Sequence, residues 1–414
     1  METVDQKLDE VLHALAYEKI VGDAPKVESD PLLARLKSLG SEVWVDTGEL
    51  EKAQEIWKQE MTALTTNNTL ANQVVQSGVM DQVIEDTIGK IQEEGLELSE
   101  EDLILEVGFV INCKIALRLV QAFKVKVSVE LHPAVSRDIE RTLHFGRRYF
   151  NVCPEFFIVK VPLTPEGYLA VRKLTKENIP INFTLGFSAR QNYLAARLSN
   201  PDFVNVFLGR LNQVVIDHKA GSGDKVGEKV TLATQNALIE AREKYNDVRS
   251  KLIGASVRNG EQVAFLAGLD VLTIPPKAIK DYQESGAAPE DVISHLDEDI
   301  TPGIDSSHPL AKRFPALWEM PGQFISFVDA LMNEPGLDDM KGPDLEEFCK
   351  KHQMDLFHNF SEDELKKIYD HGKIPALENW PDSIALDDLM TQSALQSFTK
   401  DQNALDDRIR SFLK

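Results

Sequence analysis

A lysine within an apolar run is the residue of this sequence with the clearest chemical potential. Lys160 lies near the end of FFIVKVP (156–162), whose apolar and partly β-branched composition predicts a buried strand. Burial of a charged side chain is costly unless the charge is paired or neutralised. A desolvated lysine can lose its proton and attack a carbonyl carbon as an amine. The structural alternative is a strand-end lysine that reaches solvent or a carboxylate.

Thr164 and Pro165 follow this run and predict the start of a helix. Threonine is a favoured N-cap residue, and proline is favoured at the first helical position. Lys160 is therefore expected at the carboxyl end of a parallel strand, just before a βα loop. That end of an α/β barrel carries its catalytic groups.

Polar side chains also end most of the other predicted strands. They are Asp46, Asn67, Glu130, Asn182 with Thr184, Asn205 with Arg210, and Ser256 with Arg258. Together with Lys160 the set suits Schiff-base chemistry, in which a protonated imine withdraws electrons and a neighbouring C–C bond breaks. Carboxylates can move the protons that this chemistry requires, so Asp46 and Glu130 are the candidate acid–base groups. Arginines match phosphate oxygens, so Arg210 and Arg258 predict an anion site, with the Ser256 hydroxyl beside them.

Eight strand-like runs, each followed by a helical pattern, contain these residues. The runs are VWVD (43–46), TALTTN (62–67), VKVSVEL (125–131), FFIVKVP (156–162), INFTLGFS (181–188), FVNVFLGR (203–210), KLIGASVRN (251–259) and DVLTIPP (270–276). Strict β–α alternation favours parallel strands with right-handed crossovers, and eight units suggest closure. The predicted fold is an α/β (β/α)8 TIM barrel, and an open doubly wound sheet is the alternative. The absence of G-x-G-x-x-G after the first strand weakens a dinucleotide-binding interpretation.

The helical patterns divide the chain into three predicted parts. Residues 1–40 form an N-terminal helical segment, residues 41–300 the catalytic barrel, and residues 301–414 a helical extension packed on or near the barrel. One continuous helix is predicted over most of residues 69–95. Capping boxes are predicted at Ser188/Gln191 and Ser361/Glu364, and an aspartate variant at Ser99/Asp102.

Composition narrows the class of function. The formal net charge is −22, from 45 basic and 67 acidic residues, which argues against a polyanion-binding surface and therefore against nucleic acid as a partner. The amino-terminal residues are unlike a signal peptide, and no apolar run approaches membrane-spanning length. The three cysteines, Cys113, Cys153 and Cys349, have no metal-type spacing and are odd in number. We expect a cytoplasmic protein without a metal site.

Seven segments in a fixed order resemble the transaldolase family of Schiff-base aldolase barrels. They are VWVDTGELEK, TALTTNNTL, VSVEL, IVKVPLTPEG, INFTLGFS, VFLGR and GASVRN. The resemblance covers about residues 31 to 285, with a weaker similarity in FTKDQNALDDRI near the end. As an ordered series these motifs are highly specific, whereas VFLGR alone is weak.

The resemblance implies roles for individual residues. Lys160 is the Schiff-base nucleophile, Asp46 is the general acid/base, and Glu130 with Thr184 holds the catalytic water. The implied substrate contacts are Asn67, Asn182, Asn205 and Phe207, with Arg210, Ser256 and Arg258 for the phosphate. Phe207 occupies a position where related aldolases carry a tyrosine that helps to release free dihydroxyacetone, so it favours transfer over cleavage. Asn68 replaces a frequent proline, and Asn205 replaces a frequent serine.

The implied activity is transfer of a dihydroxyacetone unit between sugar phosphates, in the non-oxidative pentose phosphate pathway. The donors are sedoheptulose 7-phosphate and fructose 6-phosphate, and the acceptors are glyceraldehyde 3-phosphate and erythrose 4-phosphate. No cofactor is expected, because the lysine imine is the electron sink, and the protein is expected to be a monomer or a homodimer. The alternatives are a fructose 6-phosphate aldolase-type lyase and a non-catalytic binding protein.

Two further signals are weaker. The stretch AGSGDKVGEK (220–229) resembles a phosphate loop but lacks the G-K-[ST] ending, so a βα loop beside the site is favoured. His132 follows Glu130 by two residues; a satisfied or rim histidine is favoured over a proton shuttle.

Overall fold

Eight parallel strands form a closed barrel in a computed structural model that describes residues 4–413. Each strand pairs with its neighbour in chain order, and β8 pairs with β1. The strands are β1 (Glu42–Asp46), β2 (Met61–Thr65), β3 (Lys126–Glu130), β4 (Phe157–Pro162), β5 (Ile181–Thr184), β6 (Phe203–Phe207), β7 (Lys251–Ala255) and β8 (Val271–Ile274). The predicted (β/α)8 barrel is therefore confirmed, and the open sheet is wrong.

Helices surround the barrel and bury the outer faces of its strands. They are α1 (Val4–Ala16), α2 (Pro31–Ser38), α3 (Leu50–Ile56), α4 (Asn68–Gln76), α5 (Asp81–Glu93), α6 (Glu100–Phe123), α7 (Ile139–Val152), α8 (Pro165–Lys176), α9 (Ala189–Leu194), α10 (Leu208–Asp217), α11 (Val226–Lys244), α12 (Gly260–Phe265), α13 (Pro276–Gln283), α14 (Gly322–Met332), α15 (Gly342–Lys351), α16 (Glu362–His371) and α17 (Leu386–Arg410). All residues of β4 and β5 are buried, although β4 contains Lys160 and β5 contains Asn182 and Thr184, polar residues that face the barrel interior. None of the helices between residues 4 and 413 combines the length and apolarity that crossing a membrane requires.

Three predicted strands are too long. The runs predicted to reach Ser188, Arg210 and Asn259 end as strands at Thr184, Phe207 and Ala255. Leu185 and Ser256 have φ angles of 70° and 62°, a left-handed conformation that ends an extended strand. Helix α10 begins directly after β6, so Arg210 lies in its first turn rather than on a strand.

The single helix predicted over most of residues 69–95 is also wrong. Helices α4 and α5 are separate, and the break between them contains Gly78 with a φ of 82°. Glycine adopts this conformation readily, whereas continuation of a right-handed helix requires a negative φ. The two helices therefore pack independently around the barrel.

The predicted caps differ in completeness. Thr164 Oγ1 accepts the Gly167 amide at 2.9 Å, and Ser361 with Glu364 forms a complete capping box. At Ser99 the hydroxyl accepts the Asp102 amide, but the aspartate accepts the hydroxyl at 2.7 Å instead of the Ser99 amide. Aspartate is long enough for the usual contact, since Asp344 accepts the Lys341 amide at the start of α15 at 2.8 Å, and nothing in the structure explains the difference at Ser99. Gln191 likewise accepts the Phe187 amide, one residue before the cap.

Residues 301–413 pack on the outer helices of the barrel, and α17 also packs against elements at the carboxyl end of the barrel. Helix α17 contacts α4, and α15 contacts α8. Asn68, the residue that replaces a frequent proline, donates to Gln402 at 2.9 Å, and Arg408 pairs with Asp81 at 2.6 Å. The end of the barrel that carries Lys160 and Asp46 is thus partly covered by α17 of the extension.

Candidate active site

Lys160 lies inside the barrel at the carboxyl end of β4 and is paired with Glu130. Its Nζ is 3.1 Å from Glu130 Oε2 and donates to the Thr66 carbonyl at 3.0 Å. Lys160 is only 4% exposed and Glu130 only 5%. Burial raises the pKa of Glu130, and the neighbouring Lys160 opposes that rise. A carboxyl group with a raised pKa can hold a proton next to an amine that must act in its neutral form.

The strand register explains why these side chains meet. Glu130 pairs with Lys160 across β3 and β4, and Lys160 pairs with Asn182 across β4 and β5. The three residues are therefore at one level of the barrel on three adjacent strands. Asn182 also contacts β3, because its Nδ2 donates to the Ser128 hydroxyl oxygen on that strand at 3.0 Å.

Asp46 ends β1 on the other side of the barrel interior. Its Oδ1 accepts the Thr65 hydroxyl at 2.7 Å, and Thr65 Oγ1 lies 2.6 Å from Thr273 Oγ1. Burial raises the pKa of Asp46, while Lys160 and the Thr65 hydrogen bond oppose the rise. Asp46 is thus a second carboxyl group near Lys160 whose pKa is raised above its ordinary value.

Asn205 connects the polar residues of β5 and β6. Its Nδ2 donates to Asn182 Oδ1 at 3.2 Å and to Thr184 Oγ1 at 3.0 Å. Both Thr184 and Asn205 are buried. The amide that replaces a frequent serine therefore orients its neighbours, in addition to lining the cavity.

Arg210 is a buried cation without a carboxylate partner. It is 7% exposed, and among the residues that the structure describes its guanidinium has no ion pair or hydrogen bond. Burial, with the charge of Arg258 nearby, lowers the pKa of Arg210 to about 10. An unpaired buried guanidinium is costly, so this position is suited to an anionic ligand.

Ser256 and Arg258 follow β7 in the loop beside Arg210. A Cβ atom on Gly209 would lie 2.3 Å from the Ser256 carbonyl oxygen and 2.6 Å from Arg258 Nε, so glycine permits this close approach. The Arg258 amide donates to Gln262 Oε1 at 2.7 Å, which holds the loop against α12. The Arg258 side chain is exposed and has no ion pair among residues 4–413.

A cavity of about 210 Å³ joins most of these residues. The predicted site residues that line it are Asp46, Asn67, Lys160, Asn182, Asn205, Phe207, Arg210, Ser256 and Arg258. Glu130 and Thr184 lie behind this lining, where they contact Lys160 and Asn205. Asn67 also caps α4 by accepting the Leu70 amide at 2.9 Å.

Ten further residues of the described chain line the cavity and were not singled out from the sequence, among them two threonines of the barrel and two residues of the extension. Thr65 and Thr273 lie on β2 and β8, and Phe398 and Lys373 come from the extension. The alternation of inward-facing residues could have indicated Thr65 and Thr273. The rings of Phe398 and Phe207 are 6.4 Å apart. Phe398 begins FTKDQNALDDRI, the segment with the weaker family similarity, whereas no local signal connects Lys373 with the barrel.

The weaker sequence signals lie outside this cavity. His132 Nε2 is 3.2 Å from Asp406 Oδ2, and its Nδ1 accepts the Ala134 amide at 3.1 Å, so it joins β3 to α17. The glycine-rich stretch 220–229 lies between α10 and α11 and borders a separate cavity of about 860 Å³, which shares Arg258. Within residues 4–413 no cluster of three or more His, Cys, Asp or Glu side chains could hold a metal ion.

The arrangement combines an amine, two carboxyl groups with raised pKa values and an unpaired arginine, all lining one cavity except Glu130, which lies directly behind it. These are the groups that an amine nucleophile needs to react with the carbonyl of an anionic substrate. The chain matches the family model described as transaldolase/fructose-6-phosphate aldolase over residues 43–311, and it belongs to that family.

Proteins with similar sequences are named transaldolase or probable transaldolase. A transaldolase of Kluyveromyces lactis is 30% identical over 274 residues, which are 61% of this chain and 75% of that protein. A transaldolase of Protochlamydia amoebophila is 27% identical over 260 residues, 61% of this chain and 78% of that protein. A probable transaldolase of Exiguobacterium sibiricum is 37% identical over 158 residues, 38% of this chain and 65% of that protein. The family and these names indicate a transferase of the transaldolase type.

Proposed function

We propose that the chain transfers a dihydroxyacetone unit from a ketose phosphate to an aldose phosphate through a Schiff base on Lys160. The donors are sedoheptulose 7-phosphate and fructose 6-phosphate, and the acceptors are glyceraldehyde 3-phosphate and erythrose 4-phosphate, as in the non-oxidative pentose phosphate pathway. The observation that carries this proposal is the buried Lys160 amine, 3.1 Å from Glu130, in a cavity that also contains the unpaired Arg210.

The first step forms the imine. Lys160 Nζ, as a neutral amine, adds to the C2 carbonyl carbon of the ketose, and protonated Glu130 gives its proton to the carbonyl oxygen, which becomes the hydroxyl group of the carbinolamine. Glu130 then accepts a proton from the nitrogen and passes it to this hydroxyl group, which leaves as water and produces the iminium. A water held by Glu130 and Thr184 is the proposed carrier, since the raised pKa of Glu130 suits it to both directions of transfer.

The second step breaks the C3–C4 bond. Asp46 accepts the proton of the C4 hydroxyl, the bond electrons move into the iminium to give an enamine, and the aldose product leaves. In the reverse direction the enamine carbon attacks the acceptor aldehyde, and Asp46 returns its proton to the new alkoxide. Hydrolysis of the imine then releases the product ketose and restores the Lys160 amine.

The remaining residues bind the sugar. Arg210, Ser256 and Arg258 hold the phosphate, since guanidinium groups match its oxygens. Asn67, Asn182 and Asn205 contact the hydroxyl groups or the imine. Phe207 has no hydroxyl group to protonate the enamine, so the intermediate persists until an acceptor binds, and this favours transfer over cleavage.

Reductive trapping tests the proposal. Borohydride added with fructose 6-phosphate should reduce the imine and add the mass of the reduced sugar unit at Lys160, as measured by peptide mass spectrometry. Lys160→Ala should acquire no adduct and should lose transfer activity, whereas Lys350→Ala, on the exposed surface of α15, should retain both. An unmodified Lys160 would support the non-catalytic alternative. Release of free dihydroxyacetone that exceeds transfer to erythrose 4-phosphate would support the lyase.

A further inference from the structure

We infer that Lys373, in the C-terminal extension, is a third cationic contact for the phosphate group of the substrate. It would thereby help the enzyme to discriminate phosphorylated from unphosphorylated sugars. This inference rests on the proposed function, because it requires a sugar phosphate in the cavity. Lys373 lies outside residues 43–311, the part of the chain that matches the family.

The position of Lys373 is defined by contacts on both sides of it. It follows Gly372, whose φ of 117° lets the chain turn away from the end of α16. Ser393 of α17 donates its hydroxyl to the Gly372 carbonyl at 3.2 Å. The amide of Leu377 donates to His218 Nε2, at the end of α10, at 2.9 Å. The backbone that carries Lys373 is thus attached both to α17 and to the helix that carries Arg210.

The side chain of Lys373 enters the lining of the active-site cavity together with Arg210 and Arg258. Lys373 is exposed, and it has no ion pair or hydrogen bond among residues 4–413. Other exposed lysines, such as Lys350, also lack a partner within the described part of the chain, but Lys373 differs from Lys350 in lining this cavity. Its charge is therefore available for a ligand.

The charges of the cavity indicate the kind of ligand. Among residues 4–413, four basic residues line it, Lys160, Arg210, Arg258 and Lys373, against the single carboxylate of Asp46, which accepts a hydrogen bond from Thr65. A phosphate dianion would reduce the repulsion between Arg210 and Arg258, and a flexible ammonium group can approach it from the open side. Since Lys373 is exposed, its attraction for the phosphate is screened by salt.

The experiment compares Lys373→Met with Lys373→Arg and with Lys350→Met. Lys350 is exposed on α15 and does not line this cavity, so its substitution changes the net charge equally. The rate of imine trapping at Lys160 is measured against the concentration of fructose 6-phosphate and of fructose, and inorganic phosphate is tested as a competing anion.

Lys373→Met should raise the half-saturating concentration of fructose 6-phosphate and the inhibition constant of phosphate by about three- to tenfold. The maximal trapping rate and the response to fructose should remain unchanged, and Lys373→Arg should restore the wild-type values. In 0.5 M salt, where the Debye screening length falls to roughly 4 Å, the difference between Lys373→Met and the wild type should shrink. If Lys373→Met and the wild type had equal half-saturating concentrations of fructose 6-phosphate, or if Lys373→Met were equally impaired with fructose, the inference about Lys373 would be overturned while the proposed function would stand. Failure of the wild type to form any imine would overturn the proposed function as well.

Discussion

Substitution of Glu130 by glutamine separates proton transfer from binding. The glutamine has nearly the same shape as the glutamate but cannot accept the proton of Lys160. Glu130 lies behind the cavity lining, 3.1 Å from Lys160 Nζ, so it should affect the formation of the imine more than the binding of sugar. Both side chains are buried, and bulk water therefore cannot replace the missing carboxylate.

The expected size of the effect follows from this geometry. Loss of a positioned acid–base group typically reduces a rate by about 10²- to 10⁴-fold, which corresponds to about 3–5 kcal/mol of activation free energy. We expect kcat of Glu130→Gln to fall by this factor, while KM changes by less than about threefold, because uniform binding is retained. In the wild type, the raised pKa of Glu130 should place the acid limb of the kcat profile above the ordinary carboxyl range of about 4.

The assay is quenched-flow trapping with borohydride, which follows the appearance of the adduct at Lys160, together with steady-state transfer to erythrose 4-phosphate. Glu106→Gln is the matched control, because Glu106 Oε2 also forms a buried pair, 2.8 Å from Arg148 Nη2, but lies on α6 outside the cavity. This control should lose about 1–3 kcal/mol of stability and keep its kcat. Imine formation by Glu130→Gln within about threefold of the wild-type rate would refute the assigned role.

Two further predictions concern other parts of the molecule. Phe207→Tyr places a phenol in the cavity and should raise the release of free dihydroxyacetone from fructose 6-phosphate by at least about tenfold relative to transfer. Release is measured without an acceptor and transfer with one, and an unchanged ratio would contradict the role of Phe207. Asp388 is buried, accepts the His358 amide at 2.7 Å, and has a pKa raised from 3.8 to about 7 by burial. The native state retains a proton that the unfolded chain releases, so between pH 4 and 7 the wild type should lose up to about 4 kcal/mol of stability relative to Asp388→Asn. Urea unfolding at both ends of this range measures the difference, and parallel pH dependence of the two proteins would contradict the prediction.

Local sequence was sufficient for the barrel and for the residues on its strands. The apolar runs and the helical patterns between them follow from burial of both faces of a parallel sheet. Lys160, Glu130 and Asn182 could be assigned to strand ends because each lies in such a run. The ends of the strands were less predictable, since Leu185 and Ser256 adopt positive φ values that their residue types do not favour.

The composition of the candidate site was partly predictable, and its geometry was not. Asp46 and Arg210 were placed near the carboxyl ends of strands, yet Arg210 lies on a helix and Glu130 lies behind the cavity. Contact between Lys160 and the Thr66 carbonyl depends on backbone atoms that any residue could supply. Such contacts leave no pattern in a sequence.

By itself the sequence determined which residues can react and on which strands most of them lie, because periodicity and burial are local properties. Only the tertiary structure decided which of them meet. Strand register brings Glu130 and Lys160 together on adjacent strands, and closure of the barrel brings Asp46 on β1 into the same interior. Packing of the extension carries Lys373 and Phe398 to the mouth of the same cavity. Contacts between segments so distant in the chain depend on how the whole molecule buries its apolar surface, which no single segment encodes.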